Sequence, residues 1–232
     1  MSIERNLLIS LLKFTQNGAV EQESVNKDAR LPSSVTSVLL AKLQNESLVY
    51  LEDGLLNVDA QSRLKLAVRA VQIGADVERV GDVLGWQEFE AMAAVTLESN
   101  GYTTKKNVRF KYGGRRWEID VVGCRKPLVL CIDCKRWRRG MHPSTLRRVV
   151  DSQAERVAAF ANSLPIVTLD LPCTKWDQAK LVPVILSLVP FSGKFCNDVP
   201  IVPVLQLQDF INQMPLYVAS LRHFHREFSH LT

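Results

Sequence analysis

Two short segments place ionisable side chains where a packed strand would not ordinarily carry them. Leu128-Val-Leu-Cys-Ile-Asp-Cys-Lys135 is apolar apart from Asp133, Lys135 and the thiols. The period of two in a strand turns Cys131, Asp133 and Lys135 to one face and Leu130, Ile132 and Cys134 to the other. Charges projecting from a strand built for burial are costly unless each is paired or bound to a metal. Asp120, in Trp117-Glu-Ile-Asp-Val-Val122, adds a second carboxylate thirteen residues upstream of Asp133, near the end of its own strand. Two carboxylates and an amine on adjacent strands are suited to hard-cation and acid–base chemistry. The spacing of Cys131 and Cys134 resembles half of a zinc knuckle, but strand positions three apart point to opposite faces and no second such pair follows.

The elements around these residues follow from periodicity and punctuation. A helix is predicted over 86–100, closed by Gly101, and Gly113-Gly114 joins strands at 108–111 and 116–122. A strand over 128–135 and a helix over 146–161 come next, then strands at 182–188 and 201–205 and a helix beginning at 207. This order predicts an α/β domain over 86–232, a mixed sheet flanked by helices.

A strand acid followed by an acid-x-Lys triplet on the next strand resembles the restriction-endonuclease-like nucleases, the PD-(D/E)XK superfamily. The preceding helix is similar as well. Phe89-Glu90 followed by Leu97-x-x-x-Gly101-Tyr102 resembles the Mrr-type restriction enzymes and the archaeal Holliday-junction resolvases. The resemblance covers about residues 86–210. It implies hydrolysis of phosphodiester bonds with a divalent metal, magnesium or manganese, acting as Lewis acid and activator of water. Asp120 and Asp133 would be direct ligands and the Cys134 carbonyl a third. Lys135 would orient or activate the attacking water and offset phosphate charge. Glu90 would act through water or on a second metal.

Gln153 lies inside the apolar stripe of the 146–161 helix, four residues after Val149 and four before Val157. An amide there needs a partner. It either points at the site, as a Gln does in some branches of the superfamily, or bonds to backbone. Lys105, Lys106, Arg109, Lys111, Arg115 and Arg116 occur with no acid between Thr103 and Trp117, and Arg136, Arg138 and Arg139 bracket Trp137. These residues would contact nucleic acid, with Trp137 stacking on a base; the other reading is a solvated basic face with Trp137 over the core. His223, His225 and His230 are read as exposed helix residues, not a metal cluster.

The amino-terminal region has a different pattern. Helices at 3–14, 22–29 and from Pro32 to 45 precede a hairpin centred on Asp53-Gly54, and a helix over 59–74 follows. Three helices and a hairpin resemble the winged helix-turn-helix family, giving a first domain over 1–75 with its connecting helix. Lys42 is the one base between Leu31 and Ser47, so this module either reads DNA or mediates dimerisation or docking.

Charge follows the same division. Residues 1–85 hold nine Lys/Arg against eleven Asp/Glu, a net of −2, whereas residues 86–232 hold twenty against thirteen, a net of +7. A polyanion is therefore expected to meet the second half. The 47% hydrophobic content is that of a packed protein. No apolar run approaches the roughly 20 residues of a membrane span, and five cysteines in a chain without a signal sequence fit reduced thiols and a cytoplasmic location. The expected function is a metal-dependent DNA endonuclease, structure-selective or restriction-like, acting as a homodimer. The alternatives are a catalytically inactive DNA-binding or regulatory protein on the same fold, and an RNA-processing endonuclease.

Overall fold

Leucines set the first core. The computed structural model describes residues 3–135, 143–164, 166, 169–188, 190–191 and 193–228, in two compact units that divide between Met92 and Ala93. In the first, α1 (Ile3–Phe14) carries apolar side chains at helical spacing and buries Leu7, Leu8, Leu11 and Leu12 completely. The chain continues through β1 (Val20–Glu21), α2 (Gln22–Ala29) and α3 (Ser33–Asn45), then β2 (Tyr50–Glu52) and β3 (Leu55–Asn57). Pro32 is the residue that caps α3 rather than its first turn. The β2–β3 turn places Asp53 and Gly54 at φ 52° and 78°, the left-handed pair that a tight hairpin requires. The short strand β1 pairs with β3, making a sheet in the order β1-β3-β2.

The unit is closed by α4 (Ala60–Gln72), α5 (Val77–Val83) and the start of α6 (Trp86–Ser99). Asp59 caps α4 by accepting from the Ser62 N–H at 2.8 Å. Arg63 on α4 is 2% exposed. Its guanidinium donates to the carbonyls of Leu12 and Val83 at 2.7 and 2.9 Å and to the Thr15 hydroxyl at 2.7 Å, and it pairs with Glu88. One buried cation thereby joins α1, α4, α5 and α6.

The second unit is built on β4 (Thr103–Tyr112), β5 (Arg115–Arg125) and β6 (Leu128–Lys135), successive antiparallel neighbours, followed by α7 (Pro143–Ser163). β7 (Gln178–Ser187), β8 (Phe195–Cys196), β9 (Val199–Pro203), α8 (Leu207–Gln213) and β10 (Phe224–Glu227) complete it. The sheet order is β4-β5-β6-β7-β9-β8, parallel across β6-β7 and β7-β9, with β10 antiparallel to the first half of β7. This is the mixed, helix-flanked sheet expected from the sequence. α7 buries Leu146, Val150, Gln153, Ala154, Val157 and Phe160, while Val149 is half-buried. Close approach of α6 to β5 depends on Gly123, where an added Cβ would stand 2.9 Å from Leu97 Cδ1.

The carboxyl-terminal segment differs from expectation. Residues 224–227 form a strand rather than a helix, pairing Phe224 to Leu181 and His225 to Lys180. Phe224 and Phe228, four apart, suit either a helix or a strand face. Both pack on the sheet's core cluster, and the edge of β7 beyond β9 supplies the backbone partners that decide the conformation. His225 is exposed on this strand, and His230 lies outside the described residues.

Candidate active site

Asp133 sits near the carboxyl end of β6, where the side chains of that strand pass from apolar packing toward solvent. The β5–β6 register pairs Val121 with Ile132 and Val122 with Cys131. The pairing ends there, one residue short of Asp120 and Asp133. The β4–β5 ladder pairs Lys106 with Val121 and Val108 with Ile119. Between those pairs Asn107 adopts φ 53°, a left-handed conformation that Asn tolerates better than most residues. Ile119 and Val122 both enter the same core cluster, although three positions apart on an even strand would oppose them. The strand therefore changes phase around Asp120, and this irregularity brings its carboxylate to the next strand. Asp120 Oδ2 accepts the backbone N–H of Cys134 at 2.7 Å.

The Asp133 side chain is 4% exposed and faces two cations. Lys135 Nζ lies 3.0 Å from Oδ1 and 2.8 Å from Oδ2, and Arg156 Nη1 donates to Oδ1 at 2.7 Å. The short Lys135 contact with Oδ2 is ionic and poorly aligned, so this buried oxygen accepts no directed hydrogen bond from the described residues. Gln153 is fully buried, and its Nε2 donates to the Cys131 carbonyl at 2.9 Å while its Oε1 accepts from Arg156 Nη1. Gln153 thus bonds to backbone through its amide nitrogen and to Arg156 through its oxygen. Arg156 was not singled out from the sequence. The available signal was its place three residues after Gln153 on a helix, which puts both on one side.

The structure brings Asp120, Asp133, Cys134, Lys135 and Gln153 together around β6. Glu90 is 4% exposed on α6 and belongs to the first unit. Among the described residues no three His, Cys, Asp or Glu side chains gather into a metal-holding group. The donors in the second unit are therefore two carboxylates and the main chain of Cys134. A hard divalent cation fits them, because buried Asp133 Oδ2 has an acceptor site that no aligned donor fills. Burial, and then the neighbouring Cys124, push the thiol of Cys131, on the same strand face, well above its usual range.

Lys105, Lys106, Arg109, Lys111, Arg115 and Arg116 are all exposed on the β4–β5 hairpin. Their charge is partly compensated in a way the linear sequence concealed. Cross-strand pairing places Glu118 against Arg109, 2.9 Å from Nε, and Arg115 stacks over Trp117 at 4.0 Å from the ring centroid while approaching Glu155 at 3.5 Å. Arg136, Trp137, Arg138 and Arg139 lie outside the described residues.

The second unit has the restriction-endonuclease-like α/β fold, and residues 82–168 match the family model Mrr_cat, described as restriction endonuclease. A protein of Archaeoglobus fulgidus described as uncharacterized is 30% identical over 135 residues, which cover 58% of this chain and 95% of that protein. The chain belongs to the same family as this archaeal protein and carries a restriction endonuclease domain of the Mrr_cat type. Among solved structures, protein VC1899 from Vibrio cholerae is 16% identical with a TM-score of 0.39, the match covering 94% of this chain and 52% of that one. Can2 from Sulfobacillus thermosulfidooxidans, solved in complex with cyclic tetra-adenylate, is 15% identical with a TM-score of 0.39, covering 91% and 50%. The chain spans about half the length of these two solved proteins.

Proposed function

We propose that this chain is a metal-dependent DNA endonuclease whose active site is centred on Asp120, Asp133 and Lys135. The observation that carries this reading is the nearly inaccessible Asp133 carboxylate, held beside Lys135 on a strand tied to Asp120 through the Cys134 N–H, within a restriction endonuclease domain. A strand that served packing alone would not hold these charges there. A magnesium or manganese ion bound by Asp120, Asp133 and the Cys134 carbonyl would supply Lewis-acid polarisation of a phosphoryl oxygen. The protein's own groups account for the rest. Lys135, about a third exposed, places an ammonium at the boundary of the site, where it offsets phosphate charge and orients the attacking water. Gln153 fixes α7 against β6, so the groups keep their spacing as charge develops.

DNA is the proposed substrate because the net charge of +7 is confined to residues 86–232, with six exposed cations on one hairpin. The amino-terminal unit is proposed to be a winged helix-turn-helix over 1–75 that mediates homodimerisation. Its hairpin exposes Tyr50, Leu51 and Leu55, and Lys42 is the single base on α3. We also propose a cytoplasmic location; the described residues contain no helix long and apolar enough to cross a membrane.

The test is cleavage of supercoiled plasmid, linear duplex, four-way junction, single-stranded DNA and structured RNA, each with magnesium or manganese. The reading predicts metal-dependent cutting of at least one DNA substrate. Tight DNA binding without cutting of any of them would support the inactive DNA-binding alternative, and cutting confined to RNA would replace the substrate. Tyr50→Ser with Leu55→Ser, followed by light scattering, tests the dimer: a monomer is expected, and an unchanged dimer refutes that role of the hairpin.

A further inference from the structure

We infer that Arg156 is the counter-ion of Asp133 that a divalent cation displaces, and that the released guanidinium then binds the scissile phosphate. This rests on the nuclease reading of the same site. The Asp133 carboxylate already faces two cations, Lys135 and Arg156, before any metal arrives. A divalent ion at Asp133 brings further like charge up to the guanidinium now 2.7 Å from Oδ1. Lys135 is on the same strand as Asp133 and is held close by it. Arg156 comes from a different element, α7, on a long side chain that is 22% exposed, so it has room to withdraw.

The contacts of Arg156 also show where it would go. Among the described residues, its bonds to Asp133 Oδ1 and to Gln153 Oε1 both run through Nη1. Its Nε and Nη2 donors therefore form an uncommitted edge, and that edge has the fork geometry that binds two oxygens of a phosphate. Gln153 gives the arm its anchor. Because Gln153 Nε2 donates to the Cys131 carbonyl, its Oε1 is directed at Arg156, so the guanidinium stays tethered to α7 when its bond to Asp133 breaks. An ion pair serving only to fasten α7 to β6 would duplicate the bond that Gln153 already makes.

Two variants, Arg156→Met and Arg156→Lys, are compared with wild type by two readouts. The first is manganese affinity without DNA, by calorimetry or electron paramagnetic resonance. Arg156→Met is expected to bind manganese on the order of tenfold more tightly because the competing cation is gone, and Arg156→Lys about as wild type does. The second is single-turnover DNA cleavage at saturating manganese. Arg156→Met should lose roughly 100-fold, the scale for removing one donor to a reacting phosphate, and Arg156→Lys should recover little of that loss because an ammonium lacks the fork. Manganese affinity unchanged or weakened in Arg156→Met overturns the displacement, and cleavage fully restored by Arg156→Lys overturns the phosphate fork. If Arg156→Met fails to fold, Arg156→Lys decides by cleavage. Should wild type cut no DNA, the nuclease reading fails and the manganese measurement alone decides the displacement.

Discussion

Replacing Arg63 with methionine removes the cation at the centre of the first unit while keeping most of its volume. The guanidinium side chain is 3% exposed, and with it go the donors to the Leu12 and Val83 carbonyls and to the Thr15 hydroxyl. Removing one partner of a buried ion pair costs about 3–5 kcal/mol. The Glu88 carboxylate left behind softens this, because it is 21% exposed and still accepts the Gly85 N–H at 2.7 Å. The two carbonyls add about 1–3 kcal/mol each if water does not reach them. These contributions overlap, and a net loss of about 4 kcal/mol is expected. That is a large share of the roughly 5–15 kcal/mol that holds a typical domain together. Urea unfolding followed by far-ultraviolet circular dichroism measures it, with Glu88→Gln and the double variant completing a cycle. The coupling between the two residues should exceed about 1 kcal/mol. A loss below about 1 kcal/mol for Arg63→Met, or strict additivity in the cycle, would refute the assignment of Arg63 as the organising contact.

Three other outcomes follow from single contacts. Gly123→Ala forces its new Cβ against fully buried Leu97, which has little room to give, and should cost about 1–3 kcal/mol in thermal or chemical unfolding; unchanged stability would mean that α6 does not need this approach. Gln153→Leu leaves the Cys131 carbonyl without its donor and Arg156 without its tether, so about 1–3 kcal/mol of stability and most cleavage should be lost together, and full activity in a folded variant would contradict this placement. Burial pushes the Asp28 carboxyl up, but hydrogen bonds from Lys13 and Ser10 outweigh it and hold the group below its ordinary 3.8. Its contribution is therefore complete above the unfolded value and is lost as pH falls through the lower folded value, so Lys13→Met should unfold at a higher pH in an acid titration; coincident titrations would dismiss the pair.

The sequence exposed the parts of this architecture that repeat a pattern. The leucine stripe of α1, the Asp53-Gly54 turn and the apolar run of β6 each state their conformation locally, and the co-facial placement of Asp133 and Lys135 follows from strand period alone. What stayed hidden depends on contacts between distant positions. The phase change at Asp120 lies across from Asn107, with its left-handed backbone, on the neighbouring strand, and Arg63 reads as an ordinary solvated residue on an amphipathic helix until α1 and α5 enclose it. Arg156 likewise resembles a surface arginine, since only the packing of α7 against β6 directs it at Asp133. The strand at 224–227 is ambiguous in sequence because its aromatic spacing satisfies two periods, and the open edge of β7 selects between them. Glu118 opposite Arg109 shows the same effect for charge: a run without acids in sequence is paired across a hairpin in space.

The most direct measurement is the rate at which purified protein nicks supercoiled plasmid in magnesium, comparing wild type with Asp133→Asn. The change keeps the size of the side chain and removes the charge that would hold the metal. Wild type is expected to nick the plasmid and to stop when magnesium is chelated, and Asp133→Asn to be slower by roughly 100-fold or more while still binding DNA. Equal rates for the two proteins, or wild-type nicking that persists in chelator, would contradict an active site built on Asp133.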